Sequence, residues 1–133
     1  MSACPLLTLV LRTPEDRVRM RRATRDQAIG VGFSLVEQTK IVTAASEIGR
    51  NTILYGGGGE VTLQPVKESA RHGLRLVFSD QGPGIADIDL ALTDGFTTGV
   101  GLGLGLGGAR RLCNEFSIES APGGTRVTIA RWK

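Results

Sequence analysis

Histidine, cysteine and aromatic residues are scarce in this chain, and their scarcity excludes several chemistries. One histidine, His72, and two widely separated cysteines, Cys4 and Cys113, lack the clustered spacing of a structural zinc site or a disulfide framework. Cys113 reads as a core residue, the usual fate of an isolated cysteine on an apolar helix face. His72, beside Gly73, reads as part of a turn. Aromatics make up 5% of the chain and none is interleaved with the arginines, which speaks against nucleic acid as a partner. No apolar run reaches the roughly 20 residues needed to span a bilayer, and the N-terminus lacks the charged-then-apolar-then-small pattern of a secretory leader. The chain therefore reads as soluble and cytoplasmic, without membrane contact. No Gly-Lys dipeptide occurs anywhere, which excludes a Walker-type phosphate loop.

What is present suits one ordinary domain over residues 1–133, with 41% hydrophobic residues to fill a single core. The net charge is only +3, but Arg12, Arg17, Arg19, Arg21, Arg22 and Arg25 crowd the first quarter. A solvated helix face is the ordinary explanation for such a cluster, and docking of a protein partner is the other.

Residues 6–11, Leu-Leu-Thr-Leu-Val-Leu, read as a first strand. Thr13, Pro14, Glu15 and Asp16 then supply an N-cap, a proline at the first helical position and first-turn acids, so a helix is predicted from Pro14 to Ile29, stopping near Gly30-Val31-Gly32. Ser34 with Glu37 forms a capping box for a second helix ending near Leu54. Along that helix Ile41, Ala44, Ala45, Ile48 and Thr52 recur at helical spacing and mark its buried side. Glycines 56–59 break it, and two alternating segments, Glu60–Lys67 and Gly73–Ser79, form a hairpin. A short acidic helix is predicted around Ile85–Leu92 and another helix from Gly105 to Asn114. A last hairpin joins Phe116–Ser120 to Thr125–Trp132. The expected class is α+β, a two-layer sandwich with a mixed, mostly antiparallel sheet covered on one face by helices.

Three motifs carry chemistry. Glu47 and Asn51, four residues apart, share one helical face and flank its apolar stripe. Asp80-Gln81-Gly82-Pro83-Gly84 ends a strand, and its alternating glycines let backbone approach a flat ligand closely. Residues 99–108 form a glycine-rich run whose bare amides can meet phosphate oxygens as a lid and lead into a helix N-terminus that favours an anion. Its leucines, Leu102, Leu104 and Leu106, are open either to a partner or to motion. Gly103-x-Gly105-x-x-Gly108 formally matches the dinucleotide fingerprint, yet it comes too late in the chain and does not follow a strand. From Ile85 to Ala109 there is no lysine or arginine, while Asp87, Asp89 and Asp94 add negative charge. A divalent cation must then offset the charge of a triphosphate. Magnesium needs few protein ligands, and the Asn51 side-chain oxygen is suited to be one.

In order and spacing these residues resemble the GHKL (Bergerat-fold) ATPases, the superfamily of gyrase, Hsp90, MutL and the histidine kinases. Glu47-x-x-x-Asn51 is similar to the N-box, Asp80-x-Gly82-x-Gly84 to the first glycine box, Gly101-Leu102-Gly103-Leu104 to the second, and Gly124-Thr125 to the terminal threonine element. Within the superfamily, Ser46-Glu47-Ile48-Gly49-Arg50-Asn51, Asp94-Gly95-Phe96-Thr97-Thr98 and Asn114-Glu115-Phe116-Ser117-Ile118 resemble most the RsbT-type serine/threonine switch kinases of bacterial partner switching and the stressosome. The resemblance implies ATP and Mg2+ as cofactors and a STAS-domain antagonist as the phosphorylated substrate. It also implies activation of a PP2C-type phosphatase by docking. Carried over by position, Glu47 would be the general base or orient the attacking hydroxyl, and Asn51 would ligate magnesium. Asp80 would accept a hydrogen bond from the adenine amino group, Gly82 and Gly84 would leave room for the ring, and Thr125 would help fix it through its hydroxyl. Gly101, Gly103 and Gly105 would present amides to the phosphates.

Each residue also has an ordinary structural explanation: Asp80 as a turn cap, Asn51 as a helix-end hydrogen bonder, Glu47 as a surface partner of Arg50 or another arginine. Without histidine-bearing dimerisation helices or a transducer domain, neither histidine autophosphorylation nor DNA strand passage is expected. The alternative function is an anti-sigma factor holding a sigma factor, or a non-catalytic ATP-dependent binding module. A short chain with no added segment before its first strand favours the switch kinase.

Overall fold

The computed structural model describes residues 6–83 and 105–133. The acidic stretch at 85–92 and the glycine run up to residue 104 lie outside the described residues. The chain order is β1 (Leu7–Leu11), α1 (Pro14–Val31), α2 (Leu35–Leu54), β2 (Gly59–Glu68), β3 (Arg71–Asp80), α3 (Gly105–Arg111), β4 (Glu115–Ala121) and β5 (Gly124–Trp132). The strands form one sheet in the order β1-β2-β3-β5-β4, and every pairing is antiparallel. This is the expected α+β architecture.

Local chemistry sets the helix ends. The Thr13 hydroxyl accepts from Asp16 N at 3.2 Å, and the Asp16 carboxylate accepts in return from Thr13 N at 3.1 Å and Arg12 N at 3.0 Å. Ser34 and Glu37 repeat this reciprocity at 3.2 and 2.9 Å. These bonds satisfy backbone donors that a helix start otherwise leaves open. Helix α1 runs on through Gly30 to Val31 and stops at Gly32, whose φ of 97° lies in the left-handed region that glycine enters at little cost.

Alternation drives the packing. Leu74, Leu76 and Phe78 of β3, Val61 and Leu63 of β2 and Val127 and Ile129 of β5 all point into one buried layer. Against it lie Met20 of α1 and the predicted stripe Ile41, Ala44, Ala45, Ile48 and Thr52 of α2, all buried. Each large apolar side chain so placed contributes roughly 1.5–3 kcal/mol from burial. Leu106 of α3 is also in this core, so it is not available to a partner.

Two sequence expectations are corrected. His72 is not in a turn: it pairs with Lys67 inside the β2–β3 ladder, which runs on to Glu68 and Arg71 and leaves Ser69, at φ 55°, to make the turn. Helix α3 ends at Arg111 rather than Asn114. Asn114 is committed to β5 instead, its N–H donating to Ala130 O at 2.9 Å and its Oδ1 accepting from Trp132 N at 2.7 Å.

Candidate nucleotide site

Helix α2 positions the first two candidates. Ser46, Ile48, Gly49 and Thr52 are buried, whereas Glu47 and Asn51 are half-buried at the border of that face. The helix is therefore fixed by its apolar side while Glu47 and Asn51 stay accessible one turn apart. The Asn51 carbonyl accepts from Tyr55 N at 2.9 Å and Gly56 N at 3.2 Å, which ends the helix and turns the chain toward β3.

Asp80 ends β3, held between Gly59 of β2 and Thr125 of β5 by the strand register. Its Oδ1 accepts from Gly82 N at 2.9 Å and Thr125 N at 3.3 Å. One carboxylate oxygen thus caps the turn, as the ordinary explanation has it. The other, Oδ2, faces Gly56, where a Cβ would overlap the carboxylate. A Cβ on Gly82 would come within 2.8 Å of the Gly56 backbone, and one on Gly124 would overlap the Asp80 carbonyl oxygen. Gly56 borders the carboxylate itself, while Gly82 packs on the Gly56 backbone and Gly124 on the Asp80 carbonyl, so bare glycines let these three segments close around the end of β3. Thr125 reaches Asp80 through its backbone N–H, while its hydroxyl lies 2.8 Å from that of Ser120.

The structure thus brings Asp80, Gly82 and Thr125 together and joins them to Asn51 through the Asn51–Gly56 bond. Gly105 opens α3, a helix that packs on α2. Gly84, Gly101 and Gly103 lie outside the described residues. Gly56 was missed by sequence reasoning, which read it only as a helix breaker. Its place five residues after Asn51, first in a run of four glycines, was the available signal. Arg17 was missed as well. Its Nε donates to Ser46 O at 3.0 Å and its Nη2 to Ser46 Oγ at 2.8 Å, so it is not part of the solvated arginine face. Arg25 is likewise spent on Gln38 at 3.2 Å, and Arg12, Arg19, Arg21 and Arg22 remain exposed.

Cys113 is half-buried against Ala109 O at 3.4 Å, and burial pushes its thiol up to about 12. Among the described residues no helix is long and apolar enough to cross a membrane.

Acid, amide and glycines thus gather at the end of the central strand β3, and residues 36–133 match the model of the histidine kinase-, DNA gyrase B- and HSP90-like ATPases. The chain belongs to that family. It is 42% identical over 123 residues to the serine/threonine-protein kinase RsbT of Bacillus subtilis (strain 168), across 92% of each chain. These similarities bear out the expected enzyme class, an ATP-dependent protein-serine/threonine kinase of the RsbT type. A solved structure of the RsbU and RsbW domains of a Mycobacterium tuberculosis protein superposes with a TM-score of 0.68 at 20% identity. It covers 99% of this chain, which spans 34% of that one, and the likeness concerns the fold alone.

Proposed function

We propose that this kinase transfers the γ-phosphoryl group of Mg-ATP to a serine or threonine of a STAS-domain antagonist in a bacterial stress-response partner switch. In the same scheme it activates a PP2C-type phosphatase by docking. The observation that carries the nucleotide part is the Asp80 notch: a carboxylate fixed by two backbone amides and bordered by Gly56, at the foot of the helix that bears Glu47 and Asn51.

Each residue has a role within that cleft. Asp80 Oδ2 accepts the adenine amino hydrogen, which selects adenine because a guanine would present a carbonyl there. Gly82 and Gly84 leave room for the ring, and the Thr125 hydroxyl, already paired with Ser120, adds a further polar contact. Gly101, Gly103 and Gly105 present amides to the phosphates. Glu47 takes the proton of the attacking hydroxyl or orients it, as a positioned carboxylate does in phosphoryl transfer.

The residues present fit magnesium. Asn51 offers a neutral, half-buried amide oxygen one turn from Glu47. Such a donor suits an ion held mainly by phosphate oxygens and water. When bound, the ion neutralises phosphate charge in a segment without basic residues of its own. RsbT-level identity over most of the chain supports the kinase over an anti-sigma role. Labelled γ-phosphate transfer to purified STAS-domain proteins tests the proposal, and a nucleotide-binding protein that labels no such partner would refute it.

A further inference from the structure

We propose that Arg17 is a positioning residue for phosphoryl transfer, holding the Ser46–Glu47 turn of α2 in place from α1. The inference rests on the reading of Glu47 as the group that handles the hydroxyl proton.

Arg17 lies in the first turn and a half of α1, 29 residues from its contact in sequence. Two nitrogens of its planar fork converge on Ser46, one on the carbonyl and one on the hydroxyl. The carbonyl already belongs to the α2 hydrogen-bond ladder, so the arginine uses a second lone pair of a helix-interior oxygen. Ser46 is only 8% exposed, and this makes the clamp a fixed feature of the α1–α2 seam rather than a surface contact. The residue so held is the immediate neighbour of Glu47.

The charge matters as well as the clamp. Burial lowers the Arg17 pKa, and Arg21 and Arg50 nearby lower it further; the Glu47 carboxylate is the one influence that favours the cation. A tie between two helices needs no guanidinium in so unfavourable a place. The Arg17 guanidinium is engaged by the Ser46 carbonyl and hydroxyl, so its fork is committed to the neighbour of Glu47.

The test compares R17Q, R17K, S46A, E47Q and the double variant R17Q/E47Q in γ-phosphate transfer to a STAS-domain substrate, with ADP binding as the second measurement. R17Q is expected to lower kcat roughly tenfold or more, as small misplacements of a catalytic group do, with KM for ATP and ADP affinity unchanged. R17K, which keeps charge but not the fork, recovers part of that loss. In E47Q the added R17Q change has no further effect, because Arg17 acts only through Glu47. Wild-type kcat in R17Q, or an undiminished R17Q effect in the E47Q background, overturns the inference. Should R17Q fail to fold, R17K and S46A decide: wild-type kcat in both also overturns it. An inactive E47Q with a normal R17Q sinks this inference alone, whereas a fully active E47Q sinks the reading of Glu47 itself.

Discussion

Gly56 stands where any side chain would overlap the Asp80 carboxylate, so the end of the Glu47–Asn51 helix and the end of β3 meet at an atom that does not exist. Gly56→Ala must push the Asp80 side chain off its two amides. The expected result is a folded protein whose affinity for ATP falls by about tenfold or more, equivalent to about 1.4 kcal/mol. Titration calorimetry with ATP checks it, and unchanged affinity would mean that Asp80 does not meet the nucleotide.

Asp80→Asn tests the same acid without changing its volume. An amide keeps one acceptor for the Gly82 and Thr125 N–H groups but presents a donor where the carboxylate had a second acceptor. Losing a hydrogen bond to a charged group costs roughly 1.5–3 kcal/mol. ATP binding should weaken accordingly, and the preference for ATP over GTP should narrow in a competition titration.

Much of the scaffold that carries these residues is legible locally. Ser34 and Glu37 announce the start of α2, the stripe from Ile41 to Thr52 marks its buried side, and alternation marks the β2–β3 hairpin, because all three signals lie within a turn or a strand. The acceptance of Thr125 N by Asp80, 45 residues away, and the Arg17–Ser46 clamp, 29 residues apart, have no local signature. They arise only when register brings β3 beside β5 and packing lays α1 on α2. His72 misled for a related reason: glycine beside histidine looks like a turn, but pairing with β2 carries the strand past both. Gly49, Gly56 and Gly82 look alike in sequence, and only the close approaches distinguish the one that borders the acid.

The two capping boxes make stability depend on acid pH. Backbone hydrogen bonding from Ser34 holds the Glu37 carboxyl below its usual 4.5, and that from Arg12 holds Asp16 below its usual 3.8. Both are depressed in the folded state, so their stabilisation is complete above those values and is lost as pH falls through the folded ones. Thermal melts from pH 7 to pH 2 should show Glu37→Gln less stable than wild type at neutral pH, with the gap closing below the usual Glu37 value. Ser34→Ala should cost about 1 kcal/mol at neutral pH.

Cys113 should be chemically quiet. With burial pushing its thiol to about 12, almost none is thiolate at neutral pH. In a Cys4→Ser background, maleimide labelling of the folded protein should be slow and should accelerate sharply in denaturant. Rapid labelling of the native form would contradict the packed position of Cys113 against Ala109.

The most direct measurement is transfer of labelled γ-phosphate from Mg-ATP to purified STAS-domain proteins, comparing wild type with Glu47→Ala and Asn51→Ala. The expected result is a labelled serine or threonine with wild type. Glu47→Ala should bind nucleotide and fail to transfer, and Asn51→Ala should lose the dependence on added magnesium together with activity. Wild-type rates in Glu47→Ala, or a wild-type protein that binds ATP and labels no STAS partner, would contradict it.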